Sequence, residues 1–364
     1  MAAKCGLAAR SNRPPGPLRL PRRMPTTQRT HTSRWPAQSP NVPPITSSRA
    51  LPPALPAEVI IRHASVGPLC LYAGLPEGEA AKARPLILIH SINAAASAAE
   101  VRPLFEHYRT RRPTYALDLP GYGLSDRSRR VYDARLMTDA VHAFTEAVQQ
   151  RHGSEPVDAL AVSLSAEYLA RAAYEAPGAY GSIALVSPTG FDRTQPFDGP
   201  ALSSRGSERV HRFISKPRLA RWLYRQLTRP GVIRYFLKRS WGSDQIDEEL
   251  FEYCIRTTQE PGAEHAPLYF LSVVLFSADI STIYRALAMP VWMVHGVRGD
   301  FTDFRYKSAL ADRSNWTFEV MQTGALPYFE LPQEFCRGYE AFLSDVRTIL
   351  SVVNRVPEAL PPAQ

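Results

Sequence analysis

No histidine follows His295 in this chain of 364 residues, and no aspartate or glutamate precedes Glu58. The four cysteines, Cys5, Cys70, Cys254 and Cys336, stand far apart. Each absence excludes something. Without a Cys-x-x-Cys pair, neither a zinc site nor a disulfide framework is indicated, and a reducing, cytoplasmic setting is the simplest reading. The most apolar stretch, "LYFLSVVLFSADI" (268–280), is too short to span a bilayer and contains Asp279, so no transmembrane segment is expected. The net charge is +9, but nine of the 43 lysines and arginines lie in residues 1–57, leaving 34 to balance 34 acids. The remainder is formally neutral, which argues against a general nucleic-acid footprint.

The Pro-, Arg- and Ser-rich segment 1–57 has no apolar period and is expected to be disordered. Its many prolines would spoil an amphipathic targeting helix, so an inert extension is preferred to an organelle-targeting peptide. From Glu58 onward strands and helices alternate. "EVIIRHASV" and "PLCLYAGL" open as a strand pair, and "RPLILIHS" (84–91) suits a buried central strand. A strand at "PTYALDLPGYG", a helix over 135–150 with Leu136, Val141, Phe144 and Val148 in register, and a strand at "VDALAVS" follow. A helix over 164–176 and the strand "GSIALVSPTG" complete the first part of an α/β core (58–191). The alternation stops over 192–288, read as a helical lid insertion. It resumes at 289 with "MPVWMVHG", a helix near 303–313, "WTFEVMQTG" and a last helix from Pro332 to Val352. This pattern predicts a mostly parallel sheet with helices on both faces, the insertion covering its carboxyl edge.

Ser163 falls between a strand and a helix, where the next backbone N–H can stabilise an oxyanion. The residues two before and two after it, Ala161 and Ser165, are small. Together with "LILIHSINAAASAAEV", "LDLPGYGLSDRS" and "PVWMVHGVRGD", this order resembles the α/β-hydrolase superfamily, in particular its lid-bearing esterases, lipases and C–C hydrolases. The resemblance spans about residues 58–350. It implies Ser163 as nucleophile, Leu164 and Ile92 as oxyanion-hole amides, and Asp300 as the acid, with Asp303 a competitor. It implies no cofactor and no metal, and a small apolar ester or related carbonyl compound as substrate.

The third member of the implied triad is missing. Where the superfamily has a histidine before its last helix, "TGALPYFE" has Ala325, and Tyr328 stands where a second histidine often occurs. His90 and His295 end core strands and are candidate substitutes, although histidines at such places usually serve the fold. A serine without a positioned base is a poor nucleophile at neutral pH. Two expectations therefore stand: a serine-hydrolase-like enzyme with a degenerate triad, or a non-catalytic ligand- or partner-binding protein of the same fold. The insertion segment 209–239 carries ten lysines and arginines and no acid among aromatics. An amphipathic lid with a solvated basic face is the preferred reading, contact with an anionic membrane surface the other.

Overall fold

A computed structural model describes residues 51–299 and 303–353. The disorder expected of residues 1–50 therefore lies outside the described residues, as does Asp300. Residues 51–57, assigned from composition to the disordered segment, are packed instead. Leu51, Ala54 and Leu55 are buried, the Ala54 N–H donates to the Tyr72 hydroxyl, and the Tyr253 hydroxyl donates to the Pro52 carbonyl. The apolar residues among these prolines supply the surface that the more polar residues before them lack.

Strands β3 (Leu86–Ile89), β5 (Val157–Val162) and β7 (Val291–Gly296) are buried along their whole length. Continuous apolar runs of this kind suit strands covered on both faces. With β1 (Glu58–Ala64), β2 (Gly67–Gly74), β4 (Thr114–Asp118), β6 (Tyr180–Val186) and β8 (Trp316–Met321) they form one sheet in the order β1-β2-β4-β3-β5-β6-β7-β8. β1 and β2 form an antiparallel hairpin, β2 meets β4 antiparallel, and every pairing from β4 to β8 is parallel.

Successive side chains of a strand point to opposite faces, so β3 feeds two cores. Ile87 and Ile89 join one with helices α2 (Ala134–Arg151) and α3 (Ser165–Glu175). Leu86 and Leu88 join the other with α1 (Arg102–Tyr108) and α11 (Pro332–Val353), the latter preceded by the single turn α10 (Pro327–Glu330). In α2 the Asp133 carboxylate caps the Leu136 N–H; Met137, Val141, Phe144 and Val148 are buried in the core, and Leu136 packs against it partly buried. The helix expected near 303–313 is a 3-10 segment over Arg305–Leu310.

The turn after β4 is built around Asp118. Its carboxylate accepts from the Tyr72 hydroxyl and from the backbone N–H groups of Ala98 and Leu124. At Gly123, where φ is +50°, a Cβ would sit 1.9 Å from that carboxyl carbon, which explains glycine there.

Between β6 and β7 lie six helices: α4 (Glu208–Ile214), α5 (Pro217–Leu227), α6 (Pro230–Trp241), α7 (Glu248–Thr257), α8 (His265–Leu271) and α9 (Ile280–Ala286). Two buried ion pairs fasten this insertion to α3. Arg171 donates to Asp279 at 2.5 Å, both side chains being nearly inaccessible, and Glu167 pairs with Arg205. The other Asp279 oxygen accepts the Leu202 N–H at 3.0 Å. Breaking one partner of a buried pair leaves an uncompensated charge, whereas replacing both with apolar side chains is often mild. Asp279→Ala should therefore lose about 3–5 kcal/mol in urea denaturation, and the double variant Arg171→Met/Asp279→Leu distinctly less.

Candidate active site

Ser163 joins β5 to α3 with φ at +55°, in the left-handed region. Such a conformation is costly for a residue with a side chain and persists only where its surroundings over-determine it. Here the Ser163 N–H donates to the Val186 carbonyl at the end of β6, at 2.8 Å, and Ser165 Oγ donates to the His90 carbonyl at the end of β3, at 2.5 Å. A serine where a glycine would be typical thus ties the turn to a neighbouring strand. Ser163 is only half-buried, while Ala161 and Ser165 are fully enclosed.

Ile92 and Leu164 are buried, and neither backbone N–H has an acceptor among the described residues. An N–H at the start of a helix or in a loop has no partner within its own element and is left to meet whatever occupies the space beside it. Both residues line one cavity of about 710 Å³ together with Ser163, Ser187, Ala325 and Thr189, and its remaining wall is largely apolar side chains of the insertion. The loop bearing Ile92 is held by Glu100. Its carboxylate accepts the Ser91 N–H at 2.9 Å and the Asn93 side-chain amide at 2.7 Å, while Asn93 Oδ1 accepts the Ala95 N–H. Composition gave no sign of Glu100; a carboxylate shortly after an oxyanion-type loop and before an apolar helix was the available signal.

Neither candidate substitute base reaches Ser163 by a hydrogen bond. His90 Nε2 accepts the Leu119 N–H at 3.0 Å, which places its proton on Nδ1, and Nδ1 donates to the Ser91 carbonyl at 2.6 Å. His295 Nδ1 donates to the Gly296 carbonyl at 2.8 Å, and Nε2 meets Lys307 Nζ at 2.9 Å, with the ring stacked on Phe304. Burial, aided by the Lys307 charge, lowers the His295 pKa, even though the Gly296 contact opposes this. Asp303 lines the cavity, but its carboxylate pairs with Arg305, a contact that lowers its pKa.

Ala325 lies beside the cavity, in a loop that is firmly held. Its carbonyl accepts from Ser187 Oγ at 2.8 Å, and its N–H donates to the Ser240 carbonyl of α6 at 2.8 Å. Glu330 accepts the Gly324 N–H at 2.6 Å and also pairs with Arg298. Tyr328 donates its hydroxyl to the Glu100 carbonyl at 2.9 Å. The Ala325 loop is thus joined, through Tyr328, to Glu100, which holds the loop that carries Ile92.

A family model described as the alpha/beta hydrolase family matches residues 86–337. The chain belongs to the alpha/beta hydrolase family. Solved alpha/beta hydrolase structures agree in fold. A probable hydrolytic enzyme from Pseudomonas aeruginosa PAO1 is 16% identical with a TM-score of 0.60, covering 80% of this chain and 95% of its own. The carboxylesterase CesB from Bacillus subtilis is 18% identical with a TM-score of 0.57, over 79% of this chain and 91% of its own. The Cif epoxide hydrolase from Acinetobacter nosocomialis is 18% identical with a TM-score of 0.59, over 79% and 88%. A search of curated proteins returns no match.

This alpha/beta hydrolase also holds, at the start of α3, a second buried carboxylate that the sequence reading passed over. Glu167 accepts from Thr189, Arg205 and the Ser277 N–H, while burial raises its pKa. It stands four residues after Ser163, one helical turn away, where a carboxylate facing the core must find partners.

The depressed histidines give the protein an acid sensitivity with a definite sign. His295, His152 and His211 all have pKa values lowered from 6.5 by burial. The stability each contributes is complete above the unfolded-state value and is lost as pH falls through the folded value. Denaturant midpoints should therefore drop between pH 7 and pH 5, and His295→Asn should show a smaller drop than wild type.

Proposed function

We propose that this alpha/beta hydrolase binds an apolar carbonyl compound in the cavity beside Ser163, without efficient hydrolysis. The ligand's carbonyl oxygen sits between the backbone N–H groups of Ile92 and Leu164, and its apolar part lies against the insertion. The observation that carries this reading is the combination of two backbone N–H groups beside the cavity, without acceptors among the described residues, with two imidazoles whose nitrogens are all engaged elsewhere. A carbonyl acceptor satisfies the donors, and neither His90 nor His295 offers Ser163 Oγ a free nitrogen to take up its proton.

The cavity, at about 710 Å³, suits a small molecule whose surface is mostly apolar. The names of similar structures, a carboxylesterase and an epoxide hydrolase among them, support electrophilic apolar ligands as the class. In triad enzymes, loss of one member leaves roughly 10³–10⁴-fold catalysis over water from the oxyanion hole and binding alone. The protein is therefore expected to retain affinity while losing most of its rate.

The second reading, a serine hydrolase with slow acylation of Ser163, is favoured by one feature. The strained φ of +55° at Ser163 presents its hydroxyl as a nucleophile elbow does.

One set of proteins separates the two. Wild type and Ser163→Ala should bind a long-chain methyl ketone comparably, read by intrinsic fluorescence, and wild type should resist a fluorophosphonate probe. Ala325→His should gain short-chain ester turnover of roughly 10²-fold or more, the usual contribution of a positioned base. Rapid fluorophosphonate labelling of wild type that disappears in Ser163→Ala would instead establish the hydrolase.

A further inference from the structure

We propose that the outer face of the insertion, α4 to α6, docks on an anionic lipid surface, from which the cavity takes its ligand. The proposal rests on the reading of the cavity as an apolar-ligand site, and three observations carry it.

Large apolar side chains that remain exposed are concentrated here. Phe213 is 59% exposed, Trp222 53%, Tyr235 54% and Phe236 50%, and outside this segment Tyr174 is the only other aromatic exposed to this degree among the described residues. Scattered exposed apolar residues need no explanation, but a cluster of aromatics does.

The same surface is densely cationic. Seven side chains, Arg209, Arg212, Lys216, Arg218, Arg221, Arg225 and Arg229, are exposed and make no ion pair among the described residues. Glu208, at the start of α4, is the one acid of α4 to α6; beyond Trp241, Glu248 pairs with Arg234 and Asp244 with Lys238. On α5 the inward side is Ala220 and Tyr224, so Trp222 projects outward among Arg218, Arg221 and Arg225. Lys216 lies over the Phe213 ring, 5.0 Å from its centre. Aromatic bodies flanked by cations match the boundary of a bilayer, where rings enter the headgroup layer and cations meet anionic phosphates.

The cavity opens beside this face. Phe236 is half exposed and also lines the cavity, as does Leu271 of α8, which is 37% exposed. An apolar ligand leaving a lipid layer at Phe236 reaches the cavity without crossing a polar surface. Nucleic acid would answer the charge but leaves the exposed aromatics and the apolar opening without a role.

The test is sedimentation of the full-length protein with phosphatidylcholine vesicles and with vesicles containing phosphatidylglycerol. Binding is expected only to the anionic vesicles and should weaken as salt rises. Arg218→Glu/Arg221→Glu should lose about tenfold or more in partition, since each cation near an anionic surface contributes on the order of 1 kcal/mol. Trp222→Ser should lose several-fold, with circular dichroism confirming that both variants fold. Wild-type binding that survives both variants would assign it to the basic residues before Glu58 and overturn the proposal, as would no binding to anionic vesicles. Tighter retention on duplex DNA than on vesicles, indifferent to Trp222→Ser, would also overturn it. Vesicle binding is read without the cavity ligand, so a failure of lipid docking and a failure of carbonyl binding at Ser163 are separate results.

Discussion

The left-handed turn at Ser163 is the point to which the strand ends of this sheet are tied. A backbone with φ at +55° would relax if its neighbours allowed it, and two hydrogen bonds of the turn itself, backed by two more between strand ends, oppose that. The Ser163 N–H catches the end of β6 at Val186, and Ser165 Oγ catches the end of β3 at His90. The His90 ring then takes the Leu119 N–H just beyond β4, and the Ser187 N–H just beyond β6 takes the Val294 carbonyl of β7. Five consecutive strands are thereby locked at their carboxyl ends around one serine. Small residues flank Ser163 because bulk there would push these ends apart.

This frame has a chemical consequence. His90 is spent on holding it: one ring nitrogen donates and the other accepts, so the imidazole has no lone pair left for a serine proton. His295 is spent in the same way between Gly296 and Lys307. The Ala325 loop, where a base would be expected, is fixed by Ser187, Ser240, Glu330 and the Tyr328 link to Glu100. The loop is therefore well held around Ala325 rather than collapsed. On the proposed reading, donors at Ile92 and Leu164 on a rigid frame, with both histidines engaged elsewhere, favour holding a carbonyl group over cleaving it.

The sheet was legible in the sequence because buried parallel strands write themselves as short apolar runs, and "LILI", "VDALAV" and "VWMVHG" are such runs. Ser163 was legible from its place between a strand and a helix. The partners of the site were not. Glu100 and Glu167 look like ordinary helix carboxylates until the fold places Asn93 or Arg205 against them, and Arg205 is about forty residues from Glu167 in the chain. Residues 51–57 were misjudged because composition averages over a window, whereas packing needs only three apolar side chains with somewhere to go. The buried stripe of α2 also takes in Met137 beside the partly buried Leu136, because a helical face facing the core is wider than one residue per turn.

The two ion pairs of α3 decide how the insertion can take part. α3 (Ser165–Glu175) follows directly on Leu164, the proposed oxyanion donor, and carries Glu167 and Arg171 to partners in the insertion. Lifting the whole insertion would strand two buried charges on α3, at a cost of several kcal/mol each. The segments around Arg205 and Asp279 must then stay seated while a ligand enters. α5 is held more lightly, its Tyr224 hydroxyl reaching the Ala94 and Thr258 carbonyls only at 3.4 Å. α4 and α5, which carry Phe213, Trp222 and cations without ion pairs among the described residues, have no such pair to α3. On the proposed lipid-docking reading, displacing these two helices therefore costs less than lifting the whole insertion and leaves the frame around Ser163 undisturbed.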